Sequence, residues 1–517
     1  MKLIKAMATV AGMTALSRIA GFIRDILTAA YLGAGPMADA FFVALKLPNF
    51  FRRITAEGAF SISFVPLYSK MLENDMRAKA DDFANNAFTL MCCVLTVFTI
   101  IVLIFMPHVL GVVAPGFGDE PEKKMMAIEF SRITFPYLLL ISLTALMGGV
   151  LNAHHRYAPF AFAPVLFNLS LIGSILFSSF FQNVGMAMSC GLLISGFLQL
   201  GFLWGALRRA GLKIKFVKPE LDKDTRQVFK LMGPAMIGAG VIHINLFADM
   251  IIASYLKTGA ISHLYYADRL NQLPLGTVGI AVGTALLPML SRAMARPDNG
   301  EARDLFNRAM EYCMILALPA AVALVTIPHI LMSVLFERGA FTQEDTLAAS
   351  GALLCYAIGL PAYIAIKVFS TAHWAREDTI TPVKISVAGT ILNIILSLSF
   401  IPFIGVAGIA LGTGIVGWLQ CVAHLYSLRE HPHARFDERF KRNILKVIAS
   451  SCIMGAGLFI LAALLQGYID QSNSIAKVMA LALIVLAGIT MYAVSIFKTG
   501  AVNIKDVKKY LLRGRKT

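Results

Sequence analysis

Ser17, Arg18, Arg24, Asp25, Asp39, Lys46, Arg52, Arg53 and Glu57 share one short stretch of a chain that is otherwise strongly apolar. Arg18, Arg24, Lys46, Arg52 and Arg53 outnumber the acids Asp25, Asp39 and Glu57, so the stretch is cationic overall. Guanidinium groups bind phosphate oxygens through paired N–H donors. Surplus arginines in apolar surroundings therefore suit an anionic, phosphate-bearing ligand. Helical phase sorts the charges. Arg18 and Asp25 lie seven residues apart on one face, and Asp39, Lys46 and Arg53 form a second polar stripe. Arg53 and Glu57 are set to pair one turn apart. Arg24 and Arg52 have no evident partner at helical spacing. With Arg18 they are the first candidates for ligand contact. Arg269, in "YYADRLNQLP", brings a similar charge much later in the chain. Phe41, Phe42, Phe50 and Phe51 read as packing.

These charges need helices to position them, and those helices lie in membrane. The 517 residues are 57% hydrophobic and only 15% charged. Soluble chains carry about 25% charged residues. Apolar runs long enough to cross hydrocarbon as helices recur throughout, and they predict about fourteen spans. A charge at mid-membrane costs about 2.5–3.5 kcal/mol on insertion scales. Several in one hairpin must face water, a partner or one another. Pro48 should kink its helix and free backbone carbonyls. The net charge of +16 is explained by orientation rather than nucleic acid. Lys and Arg cluster in alternate connections, such as Arg208 to Arg226 and Arg429 to Arg442. Those connections, and both termini, are then cytoplasmic. The odd connections are poor in base, with Lys123, Lys124, Lys257 and Arg338 as exceptions. Arg18 and Arg24 interrupt the apolar N-terminal run, so no cleaved signal peptide is expected. The seven cysteines form no metal-binding motif and read as core residues. His154, His155 and His373 fall near basic residues on the cytoplasmic side and read as headgroup-facing.

The chain repeats itself. Asp25 and Tyr31-Leu32 match Asp249 and Tyr255-Leu256, 224 residues on. "MPHVL" at Met106 matches "IPHIL" at Ile327, and His155 and Pro164 match His373 and Pro382. Equivalent points lie six spans apart, so both copies enter the membrane in the same direction. The expected architecture is all-α and polytopic, with two six-helix lobes related by a pseudo-two-fold axis. The lobes are residues 1–220 and 221–430. A C-terminal helix pair and basic tail occupy 431–517.

The motifs "SRIAGFIRD" (17–25), "GPMADAFFVALKLPNFFRRITAEGAFSISFVPL" (35–67), "APGF" (114–117), "YYADRL" (265–270), "LFERGAFT" (335–342) and "TPVKI" (381–385) resemble the MurJ/MviN lipid II flippases of the multidrug/oligosaccharidyl-lipid/polysaccharide exporter superfamily. The likeness runs almost end to end. It implies fourteen helices in two lobes around a cationic cavity, with a hydrophobic groove on the last two. It implies no enzyme. The substrate it implies is lipid II, undecaprenyl-diphosphate carrying a disaccharide-pentapeptide. The lipid moves from the inner to the outer leaflet of the bacterial inner membrane for peptidoglycan synthesis. Other cell-wall synthesis proteins are candidate partners. The resemblance carries substrate contact to Arg18, Arg24, Asp39, Arg52 and Arg269, with Ser17, Lys46, Arg53 and Glu57 in support. In some members a sodium site would match Asp249 and Asn393. Ser397 stands where a second carboxylate is expected, which counts against sodium. No nucleotide-binding P-loop is present, so the membrane potential is the expected driving force. The rival readings are a flippase for another polyprenyl-linked glycan and a membrane enzyme acting on prenyl-diphosphate lipids. The latter lacks paired Asp-rich motifs.

Overall fold

The computed structural model describes residues 2–54, 60–281, 286–294, 299–469 and 474–502. Among them all regular structure is helical, with no strand. The first helices are α1 (Lys2–Leu32), α2 (Pro36–Arg52), α3 (Ser61–Glu73), α4 (Arg77–Ile104) and α5 (Met106–Val113). Next come α6 (Pro121–Thr134), α7 (Tyr137–Ala153), α8 (Ala158–Leu176), α9 (Val184–Arg209) and α10 (Lys223–Ser254). They are followed by α11 (Ala260–Ala281), α12 (Leu287–Met294), α13 (Asn299–Thr326), α14 (Pro328–Phe336) and α15 (Gln343–Trp374). The chain closes with α16 (Ile380–Ile404), α17 (Ala407–Leu428), α18 (Glu438–Ile469) and α19 (Ser474–Lys498).

Ten helical stretches among the described residues are long and apolar enough to cross a membrane. α1, α2, α10 and α11 are not among them. These are the helices that open each copy of the repeat, and they hold the internal charges: Arg18, Arg24 and Asp25, then Asp39, Lys46 and Arg52, then Asp249, then Asp268 and Arg269. The ten stretches counted over the described residues do not by themselves reach the expected fourteen spans.

The chain divides into two compact units. One comprises Met1–Ser262 with Arg338–Phe341, the other His263–Glu337 with Thr342–Thr517. α10 begins the second copy of the sequence repeat yet packs within the first unit. There Phe247 meets Phe50 at 3.9 Å between ring centroids. The first unit buries an aromatic core of Phe60, Phe64, Tyr68, Phe83 and Phe88 against Leu143, Met147 and Leu203. In the second unit, α18 and α19 bury Met454, Leu458 and Ile484 together with Ile327.

Local signals place the helix starts. Asp222 accepts from Thr225 N at 2.8 Å at the head of α10, and Asn183 does the same for Met186 N at α9. Thr342 and Asp345 form a reciprocal capping box on α15. Inside α2, Pro48 cannot donate to the Ala44 carbonyl. The Thr134 hydroxyl of α6 donates to it instead at 2.9 Å, so the freed acceptor ties two helices together.

Two glycines allow a close approach within the first unit. Gly33 (φ +67°) follows α1, and Gly339 (φ +61°) belongs to the 338–341 segment, whose Ala340 N donates to Ala30 O at 2.8 Å. A Cβ on Gly339 would stand 2.1 Å from Ala30 O, and one on Gly33 would stand 2.4 Å from Ala340 O. Gly339→Ala is therefore expected to lower the thermal unfolding midpoint of the purified protein, through a loss of about 1–3 kcal/mol. An unchanged midpoint would show that the 338–341 segment relaxes freely.

The seven cysteines are all free, but only Cys313, Cys355 and Cys421 are buried. Cys93 and Cys452 are exposed, so the reading of all seven as core residues is corrected. In an apolar medium a small, weakly polar thiol is tolerated on the outer helix face.

Candidate functional site

Arg24 and Ser17 of α1 converge on one residue of α8, Asn168. Arg24 is 8% exposed and Asp25 5%, although they lie far from either end of the apolar chain run. Arg24 Nη2 and Nε donate to Asp25 Oδ1 at 2.6 and 3.1 Å, and Nη1 donates to Asn168 Oδ1 at 2.9 Å. The Asn168 amide then donates to the Ser17 carbonyl at 3.0 Å and to its hydroxyl at 3.4 Å. Gly21 lies between Ser17 and Arg24 on α1, and a Cβ there would stand 3.5 Å from the Asn168 amide, an ordinary contact. The Arg24 guanidinium also lies 5.5 Å from the centre of the Phe167 ring. Helical phase gave Arg24 no partner because adjacent residues point about 100° apart. Long side chains reach round that angle, and the sequence could not show what α8 would bring.

Arg18 is partly exposed and has no ion-pair partner among the described residues. Lys46 and Arg52 are partly buried and Arg53 is exposed. Glu57 lies outside the described residues, and the proposed Arg53–Glu57 pair with it. Phe50 and Phe51 are packed as expected: Phe51 meets Phe98 and Phe135 edge-on at 5.2 and 5.8 Å. In the second unit, Arg269 is partly buried, with its guanidinium 4.5 Å over the Tyr265 ring. Its neighbour Asp268 accepts from Gln272 one turn on.

Asp39 is 1% exposed. It accepts from Gly259 N at 2.8 Å, from Ser262 N at 2.9 Å and from the Ser262 hydroxyl at 2.6 Å. In this structure it caps the start of α11 rather than presenting a free carboxylate. Lys123 lies 3.4 Å from it and is itself 2% exposed. The charge asymmetry of the sequence leaves Lys123 as an exception among the odd connections. In the structure it is a buried counter-ion, which resolves that exception. Glu120, beside it, is held below the usual carboxylate range. Burial pushes it up, but bonds from Thr258 and Lys123 outweigh that.

Asn393 is 1% exposed, and its Oδ1 accepts from the Thr413 hydroxyl at 3.2 Å. Ser397 is fully buried, and its hydroxyl has no hydrogen-bond partner among the described residues. Asp249 is partly buried. No group of three or more His, Cys, Asp or Glu among the described residues could hold a metal ion. His373 corrects an expectation too. It is fully buried and bonded through Nδ1 to Asp378 at 2.9 Å, away from any headgroup. His155 is exposed, as expected of a headgroup-facing residue, and His154 bonds the Tyr68 hydroxyl at 3.1 Å.

Comparison with known proteins gives this arrangement a context. The family model described as "Lipid II flippase MurJ" matches residues 28–480. A probable lipid II flippase MurJ of Rhizobium meliloti (strain 1021) is 38% identical over 99% of this chain and 97% of its own length. Its counterpart in Haemophilus influenzae is 33% identical over 90% of this chain and 92% of its own. The solved structure titled "Lipid II flippase MurJ, inward closed conformation" superposes with a TM-score of 0.79 at 27% identity. It covers 94% of this chain and 97% of that one. An inward-facing multidrug resistance MATE transporter of the MOP superfamily shares the fold at a TM-score of 0.69 and 15% identity, over 82% of this chain and 97% of that one. By these matches across nearly its whole length, the chain belongs to the lipid II flippase MurJ family.

Proposed function

We propose that this chain flips lipid II from the inner to the outer leaflet of the bacterial inner membrane, supplying peptidoglycan synthesis. The observation that carries the reading is the family match over residues 28–480, in a chain whose most polar membrane helices are rich in arginine. It is a transporter and not an enzyme. Alternating access moves the substrate, with lobes near 1–220 and 221–430 and the C-terminal helix pair receiving the polyprenyl tail. Both termini face the cytoplasm, as the Lys and Arg asymmetry directs.

The chemistry follows from the charges. A diphosphate carries its negative charge through the membrane, where solvation by water must be replaced. Arg18, Arg24, Arg52 and Arg269 supply it, since a guanidinium stays protonated and meets two phosphate oxygens at once. A cavity for cationic drugs would need acids instead. With the inside negative, each charge moved outward gains about 2.3 kcal/mol per 100 mV, so the potential favours export of an anionic head.

Depletion of the protein, with lipid II assayed on each leaflet, tests this. Lipid II is expected to accumulate on the inner leaflet and to disappear from the outer. Collapsing the potential at constant precursor supply is expected to slow its outward appearance. Undiminished outward accessibility after depletion would remove the flippase reading. Insensitivity to the potential alone would remove only the driving force.

A further inference from the structure

Lysine is almost never fully buried unless it is paired, and Lys123 is 2% exposed. Its Nζ lies 3.4 Å from Asp39 Oδ2, 3.1 Å from Glu120 Oε1 and 3.4 Å from the Thr258 hydroxyl. It also stands 4.4 Å over the Phe117 ring. The Thr258 hydroxyl closes the ring of contacts by donating to Glu120 Oε2 at 2.8 Å. Every polar partner of Lys123 thus belongs to one structure. That structure is Asp39, the turn before α11, and the residue that precedes α6.

The second copy of the repeat contains the same arrangement with the acid on the other helix. Gly35 and Asp39 correspond to Gly259 and His263, 224 residues on. Asp39 is the fourth residue of α2, and His263 the fourth of α11. Lys123 is the third residue of α6, and Asp345 the third of α15. His263 Nε2 lies 2.9 Å from Asp345 Oδ1. Asp345 Oδ2 accepts from Thr342, the residue before α15, much as Lys123 donates to Glu120 before α6. What both copies keep is a tie between two helix starts. Which helix brings the acid is reversed.

We propose that Lys123 is a positioning residue of the transport cycle, acting through Asp39 to hold the 258–262 segment closed as a latch. Asp39 takes three hydrogen bonds from that segment, and a carboxylate in a site this dry requires a counter-charge to stay ionised and keep accepting them. Lys123 supplies it without touching the substrate. The transport role rests on the flippase reading, whereas the latch itself does not.

The test uses the full chain with its native cysteines replaced and a single reporter, Ala260→Cys, at the first residue of α11, which is 4% exposed. Reactivity of the reporter toward a maleimide is measured on purified protein, and support of growth is measured in cells. Lys123→Met is expected to raise reactivity about tenfold or more and to abolish support of growth. Lys123→Arg should stay within about twofold on reactivity and keep growth, because the buried pair is retained. Unchanged reactivity in Lys123→Met overturns the latch, whatever happens to growth. Raised reactivity with full growth keeps the latch and overturns its role in transport. If Lys123→Met fails to accumulate, adding Asp39→Asn decides the matter. Recovery of the protein with the neutral pair supports the assignment, and no recovery overturns it.

Discussion

Arg24→Ala and Arg269→Ala are each expected to abolish support of growth while the protein still reaches the membrane. A hydrogen bond to a charged group contributes about 1.5–3 kcal/mol, so the loss of even one such bond to phosphate lowers transport by about 10- to 100-fold. The two sites differ in what else is lost. Arg269 stacks its guanidinium on the Tyr265 ring. Arg24 is bonded to Asp25 and Asn168 in a buried site. Its removal strands a buried carboxylate, which costs about 3–5 kcal/mol when nothing compensates. Loss of activity in Arg24→Ala therefore needs a second comparison. Arg24→Lys retains the charge but cannot serve Asp25 and Asn168 with one planar fork. Asp25→Asn removes the acid and leaves the guanidinium. If Arg24 serves the substrate, Arg24→Lys fails while Asp25→Asn retains transport. If it serves only the helix pair, both variants lose thermal stability in proportion to activity. Full transport by either alanine variant ends the assignment for that residue.

The sequence was most informative where it broke its own pattern. Arginine and aspartate within apolar runs identified α1, α2, α10 and α11, because nothing but a partner, water or a ligand makes such residues tolerable there. The repeat was legible because both copies keep Asp25 and Asp249 in phase. Partners from distant helices were not legible. Asn168 lies 144 residues from Arg24 in a helix that reads as uniformly apolar, and a single asparagine carries no address. Lys123 looked like an external loop charge because its burial depends on the turn before α11, 135 residues away. His155 and His373 are equivalent in the repeat, yet one is exposed and the other fully buried. Repeat position fixes the place in the fold, while local packing decides the environment.

The other large expected effect concerns the junction of α13 with α18. Arg308 pairs with Glu311 one turn on and with Asp437 before α18. Glu311 is 3% exposed, and its Oε1 accepts from Asn443 of α18 at 2.7 Å. Asn307 completes the joint. Its amide donates to Arg435 O at 2.9 Å, and its oxygen accepts from Asp437 N at 3.0 Å. The joint was not legible in the sequence, since the acids that pair Arg308 are local on one side and 129 residues away on the other. Arg308→Ala leaves Glu311 buried with one amide donor and a distant Arg439 at 3.7 Å. The expected cost is about 3–5 kcal/mol, seen as a fall in the thermal unfolding midpoint of the purified protein. Arg308→Ala combined with Glu311→Leu should recover much of it, because the stranded charge is then gone. The C-terminal helices are the proposed seat of the polyprenyl tail. Loosening their attachment should therefore weaken transport of the long-tailed substrate more than that of a short-chain analogue. Equal loss for both would place the joint in general stability and take the tail out of the account.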